Sequence, residues 1–200
     1  GKRPTGISNL WIRHPETGEI EKNPTAPFNE ELDTIPYVDR TLWEPWIVNP
    51  HEEASVLVGR GCPYKCTYCS NHAMEELAEG SYVRYRSSED MIAEIDSICD
   101  QYPRMKNIYL EIETVGADVH KGIDLFEKLA EYNNAREERL SFRINLALHS
   151  NFVRVEEKYK KFLELCQKAN VTALNVGLES GSQRVRRQIL KRPRYTNEEL

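Results

Sequence analysis

The sequence has no long apolar run, no strong excess of one charge and no cysteine pattern of the secreted kind. No apolar stretch approaches the length that crosses a bilayer and no signal peptide opens the chain, so we predict a soluble, cytoplasmic protein without membrane contact. The net charge of −5 is mild, which does not favour a broad nucleic-acid-binding surface. The five cysteines are odd in number and three crowd between residues 62 and 69, which indicates thiolate ligands in a reducing compartment rather than disulfides.

The first quarter of the chain differs in composition from the rest. It holds seven of the ten prolines and all three tryptophans, with little helical periodicity. Two short extended runs around Pro15–Gly18 predict a hairpin, and residues 23–50 read as a linker stiffened by proline. We therefore expect residues 1–52 to be an amino-terminal hairpin and linker from an absent upstream domain, and residues 53–200 to be the core domain, incomplete at its carboxyl end.

From residue 53 onward, short β-rich runs alternate with amphipathic helices. This alternation predicts parallel strands joined by right-handed crossovers. A phosphate-type glycine fingerprint is missing after the first strand, so a dinucleotide-binding fold has little support. We predict an α/β fold, a partial TIM-like barrel truncated after about its fourth βα unit. The predicted strands are Ala54–Val58, Asn107–Ile112, Leu140–Leu146 and Val171–Leu178, and the predicted helices are Ser88–Gln101, Ile123–Tyr132, Val155–Ala169 and Ser182–Leu190.

Three cysteines follow the first predicted strand in the spacing Cys-x-x-x-Cys-x-x-Cys. They are Cys62, Cys66 and Cys69, and Gly59 and Gly61 before them allow a tight backbone bend. In α/β proteins, the loop after a strand is where ligands bind. Three thiolates can hold three irons of a cubane cluster and leave the fourth iron without a protein ligand. No fourth cysteine follows nearby, so the spacing favours a [4Fe–4S] cluster with one open coordination position.

Zinc is the main alternative for the same cysteines. His72 follows Cys69 by three positions, so a Cys₃His site is compatible with the spacing. A redox pair formed by Cys66 and Cys69 is a weaker alternative. Closely spaced zinc ligands usually staple small loop-rich folds, whereas this loop follows a parallel strand, and later strand ends carry polar residues of the kind that a cofactor site requires.

Two runs of the sequence resemble a known superfamily. Residues 61–69, Gly-Cys-Pro-Tyr-Lys-Cys-Thr-Tyr-Cys, resemble the signature of the radical S-adenosylmethionine (radical SAM) superfamily. Residues 176–182, Val-Gly-Leu-Glu-Ser-Gly-Ser, with residues 189–192, resemble its fourth strand and following helix. The resemblance implies a (βα)₆ partial barrel, a [4Fe–4S] cluster and cleavage of S-adenosylmethionine to methionine and a 5′-deoxyadenosyl radical. It also implies an external electron donor such as flavodoxin or ferredoxin.

The linker adds a second resemblance. Residues 23–27 and 32–36 are similar to the connector between cobalamin-binding and radical domains. This implies cobalamin bound by an upstream domain, and methylation or rearrangement of an unidentified small-molecule substrate. A tRNA or protein methylthiotransferase shares the barrel and is the alternative within the superfamily, although its extra amino-terminal cysteines are not in this sequence. The alternative from a different class is a zinc-stapled Cys₃His binding module.

Two candidate cofactor contacts are a tyrosine within the cysteine motif and an acidic residue at the end of the second predicted strand. Tyr68 precedes the last cysteine and is placed to offer its ring or backbone to a bound base. By resemblance, an acidic residue at the end of the second strand binds the amino group of S-adenosylmethionine. Glu111 and Glu113 both stand there, and we favour Glu113 over the alternative of a solvated acidic pair.

The third and fourth strands supply further candidates. Arg143 and Asn145 alternate with apolar residues, so we expect them to face the barrel interior, where Arg143 can pair with the methionine carboxylate. The alternative is a strand with one wet face. By resemblance, Glu179 and Ser180 contact the ribose or amino-acid part of the cofactor, and Ser180 is compatible with a helix cap as well.

The carboxyl-terminal part carries one basic run. It can be interpreted as an RNA-binding patch or, as we favour, as the solvated outer face of a helix. The chain then reaches Thr196 and Glu199 in capping-box spacing, which predicts the start of another helix, and we expect the sequence to be a piece of a longer protein. The basic residues are Arg184, Arg186, Arg187, Lys191, Arg192 and Arg194.

Overall fold

The computed structural model describes residues 5–149 and 157–199. Four of its strands form one parallel sheet in the order β3-β6-β7-β8, and two antiparallel pairs, β1-β2 and β4-β5, stand beside it. The strands are β1 (Trp11–Arg13), β2 (Ile20–Lys22), β3 (Glu53–Leu57), β4 (Gly59–Arg60), β5 (Arg84–Tyr85), β6 (Asn107–Glu111), β7 (Ser141–Leu146) and β8 (Val171–Val176). The helices are α1 (Asn71–Met74), α2 (Ser88–Gln101), α3 (Val119–Asn134) and α4 (Glu157–Lys168).

Each central strand buries one face and leaves polar side chains on the other. In β7, Phe142 and Ile144 are fully buried in the hydrophobic core, to which the helices also contribute. Arg143 and Asn145 between and after them are exposed and half-buried, respectively. The same alternation in β6 leaves Tyr109 on the polar face. Helices therefore cover one face of the sheet, as in a barrel wall, and the α/β fold with a parallel sheet confirms the predicted class.

Three of the four predicted helices form, and caps set the starts of α2 and α3. Ser87, rather than Ser88, caps α2 by accepting a hydrogen bond from the Asp90 N–H at 3.1 Å. The carboxylate of Asp118 accepts bonds from the first turn of α3, so that helix begins four residues before the predicted Ile123. The predicted start of α4 at Val155 lies outside the described residues.

The chain after β8 differs most from the prediction. The strand ends at Val176, and the expected helix is replaced by a π-helical turn, Val185–Ile189, closed by a bond from the Leu190 N–H to the Val185 carbonyl at 2.9 Å. The wider π turn shifts the following residues relative to an α-helix, and π turns are frequent at functional sites. The capping box is confirmed, because Thr196 and Glu199 exchange backbone-to-side-chain bonds.

The amino-terminal segment forms the predicted hairpin and then packs on the core. β1 and β2 pair around the turn that Gly18 completes at φ +74°. Farther along, the guanidinium of Arg40 donates to the Ser55 carbonyl on β3 at 2.9 Å and to the buried Glu94 carboxylate on α2 at 2.7 Å. The linker is therefore fastened to the edge of the sheet through a buried ion pair.

None of the helices within residues 5–149 and 157–199 has the length and apolar character that a membrane crossing requires.

Candidate cluster and cofactor site

The cysteines lie on one long loop at the carboxyl end of β3. We call residues 61–83 the cysteine loop; pairing of β4 with β5 holds its two ends together. The loop starts at Gly61 with φ +89°, where an added Cβ would stand 2.4 Å from the Tyr82 carbonyl oxygen. Only glycine fits this approach, so the predicted tight bend before the first cysteine is confirmed.

Each of the three sulfur atoms has a hydrogen-bond donor near it. Cys62 has the Tyr64 N–H, Cys69 receives the Asn71 N–H at 3.5 Å, and the guanidinium of Arg192 reaches Cys66. All three cysteines are free; Cys66 is buried and the other two are half-buried. Donors of this kind stabilise thiolate ligands and tune cluster potentials, so the residues present fit a cluster bound by three cysteines.

The zinc alternative finds less support in this geometry. Within the described residues, no three His, Cys, Asp or Glu side chains converge as a site for a single metal ion. His72 lies on α1, and its Nδ1 is buried without a hydrogen-bond partner among the described residues. A Cys₃His site is thus not assembled there.

A cavity of about 480 Å³ opens where the parallel strands end, and we call it the carboxyl-end cavity. Side chains of both charges and two asparagines line it, together with apolar residues of β7 and β8. Its floor is ordered by Asn145, whose Oδ1 accepts from the Tyr109 hydroxyl at 2.6 Å and from Asn175 Nδ2 at 3.3 Å. The lining residues are Glu113, Asn145, Leu146, Ala147, Leu174, Asn175, Val176, Gly177, Glu179 and Arg192.

Glu113 joins this cavity to the cysteine loop. Its Oε1 accepts from Asn71 Nδ2 at 3.0 Å, and the Asn71 side-chain oxygen accepts in turn from the Tyr82 hydroxyl. The negative charge of Glu113 is close enough to add to burial in raising the pKa of Cys62. Glu111 instead lines a separate cavity under the linker, where burial raises its pKa.

Arg192 lies between the cysteine loop and the end of β8. It donates to the Tyr68 hydroxyl at 3.0 Å and to the Gly177 carbonyl, and its Nη1 stands 3.8 Å from Glu179 Oε1. The side chain is only 9% exposed, and its Nε is buried with no acceptor in the described part of the chain. Burial around the Tyr68 hydroxyl raises the pKa of that group to about 12. A largely buried cation therefore lines the carboxyl-end cavity.

The two residues predicted at the end of the fourth strand differ in position. Glu179 lines the cavity from a left-handed backbone conformation at φ +65°. Ser180 is half-buried, its hydroxyl accepts from the Ser182 N–H at 3.1 Å, and its carbonyl accepts from the buried Arg186 at 2.7 Å. Ser180 thus orders the turn beside the cavity, and Glu179 is the one that reaches into it.

Arg143 does not join this group. It lies two residues before Asn145 on the same face of β7, 3.8 Å from Glu53, and lines a cavity of about 330 Å³ at the amino-terminal end of the sheet with Trp43 and Tyr109. Its side chain is 46% exposed. The structure brings Tyr68, Glu113 and Glu179 to the cysteine loop and leaves Arg143 at the other end of the sheet.

The basic run is not a uniformly solvated face, which corrects that interpretation for two of its members. Arg186 is 1% exposed and stacks on Tyr195 at 4.6 Å, and Arg192 is buried as described. Sequence reasoning missed Arg192 as a site residue, although it lies in the run 189–192 that carried part of the family resemblance. The family resemblance thus included Arg192, but the sequence of a basic run does not show which of its side chains face the core and which face solvent.

A parallel sheet with a three-cysteine loop and a polar cavity at its carboxyl edge defines an α/β domain with a candidate metal-cluster site where its strands end. Residues 56–200 match the radical SAM superfamily, and the chain belongs to it. The sequence is 22% identical over 94% of its length to cytidylyl-2-hydroxyethylphosphonate methyltransferase of Streptomyces wedmorensis, covering 34% of that protein. It is 26% identical over 62% of its length to an uncharacterized methyltransferase of Pyrococcus horikoshii, covering 26% of it. The chain thus spans about a third or less of these curated relatives.

Solved structures show the same fold. The cobalamin-dependent radical enzyme OxsB superposes with a TM-score of 0.69 at 20% identity, over 96% of this chain and 27% of that one. The radical SAM methyltransferase TsrM of Kitasatospora setae, solved with tryptophan and a SAM analogue, gives 0.65 at 17% identity, over 98% and 38%. These likenesses support the partial barrel.

Proposed function

We propose that this chain is the cluster- and SAM-binding core of a radical SAM enzyme that methylates or rearranges an unreactive carbon with the help of cobalamin. The observation that carries the proposal is the junction of the cysteine loop with the carboxyl-end cavity through Glu113 and Arg192. Three sulfur atoms, one carboxylate and one buried guanidinium meet there. This is the donor set that a three-cysteine cluster and an amino-acid cofactor require.

The charges of the cavity match the methionine end of S-adenosylmethionine. Glu113 offers an acceptor for the ammonium group, and the guanidinium of Arg192, which lines the cavity, offers donors to the carboxylate. Glu179, which lies beside Arg192, offers a hydrogen-bond acceptor to the remainder of the cofactor. Tyr68, on the cysteine loop, offers its aromatic ring. When bound, the cluster supplies the electron that cleaves the sulfonium carbon–sulfur bond, and an external carrier such as flavodoxin or ferredoxin replaces that electron.

Arg192 is a better candidate than Arg143 for the carboxylate. Arg192 is largely buried and lines the carboxyl-end cavity, whereas Arg143 is half-exposed and lies 3.8 Å from Glu53 at the opposite end of the sheet. A buried guanidinium binds an anion in a less polar environment, so its pairing contributes more than that of a solvated one.

The cobalamin part of the proposal is supported by the relatives. OxsB is a cobalamin-dependent radical enzyme, and the curated relatives are methyltransferases, at identities of 20–26%. The linker that resembles a cobalamin-domain connector is fastened to the core through Arg40 and Glu94. A fixed linker holds a preceding cobalamin domain in a defined orientation toward the barrel.

Anaerobic reconstitution with iron and sulfide tests the proposal. We expect a brown protein with about four irons per chain, which with a reductant converts S-adenosylmethionine into methionine and 5′-deoxyadenosine. Cys66→Ser should abolish both, while Cys166→Ser, at an equally buried cysteine inside the helical core, should retain them. A colourless protein that holds zinc, or a Cys66→Ser variant that keeps its iron, would contradict the proposal.

A second pair of variants assigns the carboxylate contact. Equilibrium dialysis with S-adenosylmethionine should show about tenfold weaker binding for Arg192→Lys, since lysine lacks the forked donors, and no change for Arg143→Lys. Weaker binding in Arg143→Lys with normal binding in Arg192→Lys would restore the assignment made from the sequence.

A further inference from the structure

A second cavity lies at the end of the parallel sheet opposite the cysteine loop, and we call it the amino-end cavity. It has a volume of about 330 Å³ and opens between the linker and the first residues of β3 and β6. Trp43 lines it from the linker, and Glu53 and Asn107 line it from the starts of the two strands. No described residue lines both this cavity and the carboxyl-end cavity. Its volume falls in the range of about 300–1,000 Å³ that is usual for small-molecule sites.

Three aromatic residues line the amino-end cavity. Trp43 is 56% exposed, so much of its ring is open to a ligand. Tyr102 donates its hydroxyl to the Glu44 carboxylate, and Tyr109 donates its hydroxyl to Asn145 Oδ1 at 2.6 Å. Because both hydroxyl hydrogens are already used, the two tyrosines offer a ligand mainly the apolar surface of their rings. These walls suit a planar aromatic group.

One arginine of the amino-end cavity has donors that the protein does not use. The Nη2 of Arg143 stands 3.8 Å from Glu53 Oε1, which is too long for a hydrogen bond, and within residues 5–149 and 157–199 its guanidinium makes no hydrogen bond. Both side chains are nearly half exposed, and an ion pair of this kind contributes little to stability, so a ligand can displace Glu53 at low cost. Arg40 lines the same cavity but already donates to the Ser55 carbonyl and to Glu94. Arg143 is therefore the group that can bind an anion here.

We propose that the amino-end cavity binds a small aromatic carboxylate, whose ring lies against Trp43 and whose carboxylate pairs with the guanidinium of Arg143. The planar fork of a guanidinium matches a carboxylate with two parallel hydrogen bonds, which the 3.8 Å contact with Glu53 does not supply. An aromatic cation that pairs with Glu53 is the other ligand that these charges attract, but a carboxylate gains two directed bonds and is favoured. The site lies apart from the cofactor cavity, so the inference is independent of the proposed function.

Isothermal titration calorimetry of the full-length protein with naphthoate and with its neutral amide, naphthamide, tests the site. Arg143→Gln should weaken naphthoate binding about tenfold or more, because glutamine lacks the charge and the fork, and should leave the weaker naphthamide binding unchanged. Glu53→Gln should tighten naphthoate binding, because it removes the negative charge that competes for Arg143. Trp43→Leu should weaken both ligands to the same extent, since both share the ring. The matched control is Arg104→Gln, at an exposed arginine in the turn before β6 that does not line the cavity.

The outcomes decide the inference without reference to catalysis. Wild-type protein that does not bind naphthoate overturns it, and so does an Arg143→Gln variant that binds naphthoate as tightly as Arg104→Gln does. If naphthylmethylamine binds instead and Glu53→Gln abolishes that binding, the cavity takes cations and the inference is wrong. Binding of S-adenosylmethionine should be normal in Arg143→Gln, because this residue lies away from the carboxyl-end cavity. Failure of this site and failure of the proposed function are therefore separate results.

Discussion

Replacing Arg192 by glutamine removes the single buried cation that fastens the cysteine loop to the end of β8. In the native structure this side chain donates to the Tyr68 hydroxyl at 3.0 Å and to the Gly177 carbonyl, and it is 9% exposed. Hydrogen bonds to charged groups contribute about 1.5–3 kcal/mol each. Glutamine is shorter and neutral, so we expect both to be lost, with a fall of about 3 kcal/mol in the free energy of unfolding, allowing for partial rehydration.

The loss is measurable by equilibrium urea unfolding of the cluster-free, reduced protein. With an m-value of about 2 kcal/mol/M, a fall of about 3 kcal/mol lowers the midpoint by about 1.5 M. Arg187→Gln is the matched control, because this arginine is exposed in the π turn five residues before Arg192 and has no ion-pair partner among the described residues; its effect should stay within about 0.5 kcal/mol.

A second measurement follows the loop itself. Cys66 is buried under the contact, so its reaction with a thiol reagent should accelerate in Arg192→Gln and stay slow in Arg187→Gln. Equal midpoints for the two variants, together with equally slow labelling of Cys66, would show that Arg192 does not hold the loop.

Three further predictions concern the scaffold. Gly59→Ala should destabilise the protein strongly, because the new Cβ would stand 2.4 Å from the Arg84 carbonyl oxygen, whereas Gly181→Ala, with open space around it, should be neutral in the same thermal melt. Arg40→Gln should expose the linker to limited proteolysis, since it removes the 2.7 Å contact with buried Glu94; unchanged cleavage would mean that other contacts suffice. The Ser88 hydroxyl holds the pKa of Asp124 below its ordinary value of 3.8. The folded state therefore gains stability above pH 3.8 and loses it as the pH falls through the lower pKa of the folded state. Asp124→Asn should make Tm depend less steeply on pH in the acid range.

Local patterns in the sequence determined the order of the core elements and the position of the three cysteines after the first parallel strand. The four parallel strands were predicted from apolar runs that alternate with helices. The three cysteines were recognised by their spacing, because all of them lie within one loop. Glu113 and Glu179 were proposed from the family resemblance, and both line the cavity because a residue at the carboxyl end of a parallel strand reaches the shared edge of the sheet. The Thr196 capping box is equally local.

Only the tertiary structure shows which arginine lies at the carboxyl-end cavity. The Arg192–Tyr68 contact joins residues 124 positions apart, and it depends on a π turn that the α-helical pattern of residues 182–190 did not predict. Arg143 has the alternation of an interior residue, but its height along β7 places it beside Glu53 at the far end of the sheet. The periodicity of a strand specifies the face of the sheet on which a side chain lies, but not which end of the sheet it reaches. A run of arginines in the sequence does not reveal which of them are buried. Those two facts come from packing between distant segments.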